Sequence, residues 1–370
     1  MKTVRICLAL LVVLIAYLAL WPVPIAPQRW SPGLAPPADA YPDNDALRGI
    51  ERLAVGVGDG PEGIALDAQG RIYAGYDDGR VMRFDGDGRH GELLAKTGGR
   101  PLGISVGSKG LFVADARRGL LQIGTDGQVR VLSTAADGIP FRFPDDVAQS
   151  DADPDVYFTD ASARFGPDRL MADILEHGDS GRVLRYDPAS GQTRTLMSGL
   201  HFANGIAFGC DGACLYVSET NEYRVWRYWL RGEHAGQQEI FVDRLPGFPD
   251  NLSVDTAGHV WIALYAPRDA TLDAMASYPW LRKLAYRLPS FLLPKAVAHS
   301  GVVAFDADGT LVHNFQYAGD PSDPQAPPPY APITSVIAYG PTLYFGSLTA
   351  PAIGRLPLPT ETLRPAGSAP

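Results

Sequence analysis

One short phrase recurs six times along this chain, and a repeated turn-plus-strand unit has few ways to bury its apolar faces. The copies are Pro61-Glu62-Gly63-Ile64-Ala65-Leu66, Pro101-Leu102-Gly103-Ile104-Ser105-Val106, Pro144-Asp145-Asp146-Val147-Ala148, Phe202-Ala203-Asn204-Gly205-Ile206-Ala207, Phe248-Pro249-Asp250-Asn251-Leu252-Ser253 and the weaker Ile333-Thr334-Ser335-Val336-Ile337. Each sets a tight turn before apolar residues of strand type. The first unit continues through a turn at Ala68-Gln69-Gly70, Arg71-Ile72-Tyr73-Ala74-Gly75, a turn at Asp77-Asp78-Gly79 and Arg80-Val81-Met82-Arg83-Phe84, so three antiparallel strands are legible. From Glu62 through Leu102, Asp145, Asn204, Asp250 and Thr334 the intervals are 40, 43, 59, 46 and 84 residues. Propeller blades run to about 40–50 residues, and the two long intervals carry insertions at 163–179 and 270–299. The chain is therefore predicted to be all-β, a six-bladed β-propeller. The insertions hold apolar runs suited to roofing a pocket, lying on a membrane, meeting a partner or adding local packing.

At the N-terminus, Ile6 to Trp21 is an uncharged apolar run of 16 residues preceded by Lys2 and Arg5. A helix over about 4–21 would span roughly 27 Å at ~1.5 Å per residue, enough to cross a bilayer core if the basic residues snorkel. No small-x-small cleavage signature follows; Trp21-Pro22-Val23-Pro24 stands there instead, which favours an uncleaved anchor over a signal peptide. The expected organisation is a membrane anchor at 1–21, a Pro-rich spacer at 22–44 lifting the domain off the membrane, and the propeller at 45–370. Positive charge before the span predicts export of the remainder. Cys210 and Cys214 flank Asp211-Gly212-Ala213. In an exported hairpin a disulfide is the stronger reading and a zinc pair the weaker, two thiols without a third ligand being too few. The formal charge of −9, with no lysine-arginine block, argues against nucleic-acid binding.

The first strand of each propeller blade lines the central channel, so the six equivalent positions converge on one axis. They are Glu62, Leu102, Asp145, Asn204, Asp250 and Thr334, four of them hard oxygen donors. Asn251 is placed to add another amide oxygen. Carboxylates crowded round one point repel unless a cation lies between them. Oxygen-only ligation with flexible geometry favours Ca²⁺, with Mg²⁺ the next choice, over Zn²⁺. The plainer alternative is a ring of turn-capping residues round a metal-free channel.

The phrases Phe202-Ala203-Asn204-Gly205, Tyr228-Trp229-Leu230-Arg231-Gly232, Leu245-Pro246-Gly247-Phe248-Pro249-Asp250-Asn251 and Gly181-Arg182-Val183-Leu184-Arg185-Tyr186-Asp187-Pro188 resemble the strictosidine synthase-like family, particularly its adipocyte plasma membrane-associated protein type with a single N-terminal anchor. The repeat is more distantly similar to gluconolactonase/regucalcin and the paraoxonases. The resemblance implies a six-bladed propeller with a central divalent metal, usually calcium, that hydrolyses small-molecule lactones or aryl esters. Its metal ligands fall on Glu62, Asn204 and Asp250, with Asp145 where relatives commonly carry Asn. Alkaloid-forming members use a glutamate in the last third of the chain; between Leu284 and Val303 there is no Glu or Asp here, which excludes that chemistry. In the implied mechanism the metal polarises a carbonyl while water attacks. Asp145 and His201 are the candidate general bases, although His201, like His177 and His299 at the insertion ends, also reads as a loop-capping residue. A non-catalytic propeller with a structural metal is the second reading.

Overall fold

Each repeat folds into a four-stranded antiparallel sheet, and the six sheets are the blades of a propeller. The structure is a computed structural model and describes residues 2–37, 39–293 and 296–358; the predicted C-terminal boundary at 370 lies outside them. The innermost strands are Ile64–Leu66, Pro101–Gly107, Pro144–Ser150, Ala203–Gly209, Gly247–Val254 and Ser335–Tyr339. They are short, rich in β-branched and small residues, and each pairs with the strand that follows it through a tight turn. The second strands sandwiched between blades supply fully enclosed residues such as Ile72, Val113, Val156, Phe158, Val217, Ile262 and Phe345, each 0% exposed. Burial on both faces explains why these strands read as apolar runs rather than alternations.

The sequence showed three strands per unit; the fourth is an outer edge strand. Gln192–Leu200 and Gln238–Val242 are polar and half exposed along most of their length, which hides them from an apolar pattern. The last blade takes its outer strand from the other end of the chain. Glu51–Leu53 pairs antiparallel with Ile353–Pro357 in the register Glu51↔Arg355 and Leu53↔Ile353, closing the ring. Cys210 and Cys214 form a disulfide with Cα atoms 5.5 Å apart across the first hairpin of the fourth blade. It closes a very small loop. Replacing both cysteines with Ser is expected to lower stability by about 2 kcal/mol with the fold kept, as read by denaturant titration.

Among the described residues four α-helices decorate this frame: α1 (Lys2–Leu20), α2 (Leu170–Glu176), α3 (Ala270–Met275) and α4 (Pro279–Arg287). Helix α1 has mean hydropathy 2.5 and no buried residue, so it is long and apolar enough to cross a membrane. The described residues of 22–44 contain no helix or strand, but they are not a free spacer. Ile25 is 3% exposed and packs with Phe165, Ala172 and Leu175 of the first insertion. The Gln28 N–H donates to Glu176 O at 2.9 Å and the Trp30 N–H to Ala276 O at 3.3 Å. Arg282, fully buried in α4, donates to backbone carbonyls of Gln28, Leu175, Glu176 and Ala276. The expected spacer is thus corrected to a strap. Proline-fixed backbone leaves carbonyls and N–H groups free, and the two insertions supply partners for them. Arg287 carries this packing to α1, donating to Trp21 O at 2.7 Å and Leu18 O at 3.0 Å.

Candidate metal centre

The inner strands are bulged at the positions that matter. Pairing with the second strand breaks between Pro101 and Ile104, Pro144 and Val147, Ala203 and Ile206, and Pro249 and Leu252. Leu102, Asp145, Asn204, Asp250 and Asn251 all lie in those interruptions, where a bulge releases a residue from the ladder and re-aims its side chain. Thr334 immediately precedes its strand, and Glu62 stands two residues before its own. Glycine after the site residue lets neighbouring inner strands close on the axis. A Cβ on Gly63 would lie 2.1 Å from Leu102 O, and one on Gly205 would lie 2.6 Å from Asn251 Cα. Hydrogen bonds stitch the ring: the Asn251 N–H donates to Thr334 O at 2.9 Å, Ser335 Oγ to Glu62 O at 2.8 Å, and Thr159 Oγ1 to Asn204 O at 2.6 Å.

The result is an enclosed cluster of acceptors. Glu62, Asp145, Asn204, Asp250 and Asn251 are all between 3% and 5% exposed. Asn251 Nδ2 donates to Glu62 Oε1 at 3.1 Å. Glu62 Oε2, Asn204 Oδ1, Asp250 Oδ1 and Asn251 Oδ1 are buried with no hydrogen-bond partner among the described residues. Burial pushes the Glu62 carboxyl up to about 8, an effect the nearby Arg100 guanidinium opposes and Asp146 reinforces. Asp145 and Asp250 are held well above the carboxylate range, first by burial and then by the charge of Glu62; for Asp145, Asp250 adds to it. Each of the carboxyls from blades one, three and five thus feels the charge of another across the enclosed axis. Orphaned, enclosed oxygens and uncompensated carboxyls are what a hard cation satisfies, and the donor set fits Ca²⁺ with no nitrogen or sulfur to favour zinc.

Sequence reasoning missed Asp146. Its Oδ2 accepts from the Ile206 N–H at 2.9 Å and its Oδ1 from the Val147 N–H at 2.8 Å, so it ties blade three to blade four, and burial raises it to about 7. Leu102 lacks a side-chain oxygen and instead packs in a buried apolar cluster with Ala116, Phe143, Ala161 and Phe202, against which Leu170 and Leu348 lie. Leu170 of α2 brings the first insertion against this cluster. Tyr265 lies near enough to Asp250 for that charge to reinforce the effect of burial in raising its phenol. His201 is not among the axial oxygens. Its ring lies 4.4 Å from that of His177, and its N–H donates to Glu219 at 2.7 Å. Of the two candidate bases, the structure puts Asp145 in the centre and His201 beside the strap.

The strictosidine synthase family model matches residues 145–233, and the strictosidine synthase-like N-terminal model matches 39–84. The chain is 36% identical to strictosidine synthase-like protein 6 of Arabidopsis thaliana over 320 residues, covering 84% of this chain and 82% of that one. It is 34% identical to the adipocyte plasma membrane-associated protein of Danio rerio over 360 residues, covering 90% and 84%. Among solved structures, a gluconolactonase of Xanthomonas campestris superposes with TM-score 0.58 at 20% identity, covering 92% of this chain and 99% of that one. A calcium-binding regucalcin of Agrobacterium tumefaciens gives TM-score 0.52 at 16% identity, covering 82% and 86%. These two carry the fold alone. With the axial ring, the closed six-bladed frame and relatives of this identity along most of its length, the chain belongs to the strictosidine synthase-like family.

Proposed function

We propose that this protein is a metal-dependent hydrolase of lactones or aryl esters, with Ca²⁺ held by Glu62, Asn204 and Asp250 and supported by Asp145 and Asn251. The observation that carries the reading is the set of four enclosed oxygens without partners beside carboxyls that burial and mutual repulsion keep protonation-prone. When bound, such a cation supplies Lewis acidity toward a carbonyl oxygen. The remaining work belongs to the chain. Leu102, Phe143 and Phe202, packed with Leu170 in one apolar cluster, are the wall against which the hydrophobic part of an ester would lie and which excludes bulk water. Asp145 makes no side-chain hydrogen bond among the described residues, so its carboxylate, ionised once a cation offsets the charge of Glu62 and Asp250, is free to accept a proton from the attacking water. Gluconolactonase and calcium-binding neighbours with the same fold support the assignment.

The proposed setting is a single-pass membrane protein with the propeller exported. The apolar α1 preceded by basic charge, the disulfide and a plasma membrane-associated relative support it. Trp280 of α4, whose Arg287 binds α1, and Tyr278, Phe291 and Leu292 flanking that helix are exposed, as expected of residues at a bilayer interface.

The test is hydrolysis of a panel of aryl esters and lactones by the full chain in detergent, before and after chelation and again after Ca²⁺ is restored. Turnover that is lost and recovered supports the reading. Turnover indifferent to chelation removes the metal from the reaction, and absence of turnover by the cation-loaded protein transfers the assignment to a binding propeller with a structural metal.

A further inference from the structure

A second cluster lies outside the axial ring. His177 caps α2 in a left-handed conformation, φ 53°; His201 enters blade four three residues before Asn204; Glu222 sits in the short 3₁₀ turn Thr220–Glu222. The topology brings one ligating atom from each to within 4.8 Å of the others. His177 is 2% exposed and its Nε2 lies 2.8 Å from Glu222 Oε1. The two imidazoles stack with centroids 4.4 Å apart and planes 21° from parallel.

We propose that His177, His201 and Glu222 form a binding site for a divalent transition-metal ion of the Zn²⁺ class, separate from the oxygen-only axial site. A simple His177–Glu222 hydrogen bond accounts for one nitrogen and one oxygen. It leaves His201 Nδ1 buried without a partner, and beside Glu222 it leaves both polar atoms of the Asn221 amide, in a residue 3% exposed, equally unpartnered. Two imidazoles and a carboxylate are the donor set of three-ligand zinc sites, which keep a fourth position open. The indole of Trp30, from the strap, lies against His177 with centroids 3.9 Å apart and covers the cluster. An ion here clamps together the end of α2, the entry to the Asn204 strand and the strap leading to the membrane helix. Donor hardness keeps the two sites distinct: nitrogen-rich ligation for the soft-borderline ion, oxygen ligation for calcium.

The test is Zn²⁺ titration of the metal-stripped full chain in detergent, with X-ray absorption at the zinc edge, in wild type, Asp250→Ala, His177→Gln and Glu222→Gln. The expected result is one zinc per chain with imidazole scattering in wild type and in Asp250→Ala, and at least tenfold weaker binding in His177→Gln and Glu222→Gln. Glu222→Gln is isosteric and retains a hydrogen-bonding group for His177, so misfolding of the bulkier change is not the sole readout. No stoichiometric binding, scattering without imidazole, or affinity unchanged in Glu222→Gln would each overturn the proposal. Loss of zinc in Asp250→Ala with retention in the cluster variants would assign the ion to the axis and overturn it equally.

Discussion

Asp250→Ala is expected to lower kcat/KM for a hydrolysed lactone or ester by about 10³-fold, the scale seen when one preorganised charge-stabilising group is removed. It is expected to do so while raising the melting temperature of the cation-free protein by a few degrees. The opposite signs follow from one geometry. In the cation-free ring three carboxyls share an enclosed space, and Asp250 is held far above its ordinary range by burial and by Glu62. Removing it relieves desolvation and repulsion together. The loss of its contact with the Asn204 amide opposes this but is the smaller effect. With Ca²⁺ present the same substitution removes a ligand, so the stabilisation that added Ca²⁺ gives wild type should shrink sharply. Paired activity assays and thermal melts, with and without Ca²⁺, check both signs.

Gly63→Ala and Gly205→Ala are expected to destabilise the fold by roughly 3 kcal/mol each or prevent folding, whereas Gly33→Ala should stay within about 0.5 kcal/mol. The obstruction at both ring positions is backbone. A methyl at Gly63 meets Leu102 O at 2.1 Å, and one at Gly205 meets Asn251 Cα at 2.6 Å, Asp250 O at 2.7 Å and Leu252 N at 2.7 Å. No rotamer change relieves such a clash; adjacent inner strands would have to separate, which also moves Asp250 and Asn251. At Gly33 the nearest atom is a side-chain carbon of Arg244 at an ordinary 3.7 Å. Urea titrations of the three variants compare the costs directly.

The repeat and the number of blades were legible because turn chemistry and buried strands are local signals. Pro-Glu-Gly, Pro-Asp-Asp and Ala-Asn-Gly announce their positions without reference to the rest of the chain. What stayed hidden depends on distant partners. Glu51–Leu53 acquires its role only by meeting Ile353–Pro357, and the strap at 22–44 has no periodicity because its packing is supplied by α2 and α4. Asp146 looked like a second member of an acidic turn, yet both its oxygens serve backbone N–H groups, one of them in the next blade. His177 and Glu222 are 45 residues apart, a separation at which no spacing rule would join them. His201 stands close in sequence to Asn204 but its ring lies against His177, while Phe202 between them takes a φ of 68° and packs edge-on against Phe143.

The central claim is that the axial oxygens hold a catalytic divalent cation. Equilibrium dialysis of Ca²⁺ against wild type and Asp250→Ala, with ester turnover followed on the same samples, tests it most directly. The account predicts one tightly held ion in wild type, its loss in the variant, and turnover that tracks occupancy. Turnover that persists in the ion-free wild type, or equal Ca²⁺ binding by the two proteins, would contradict it.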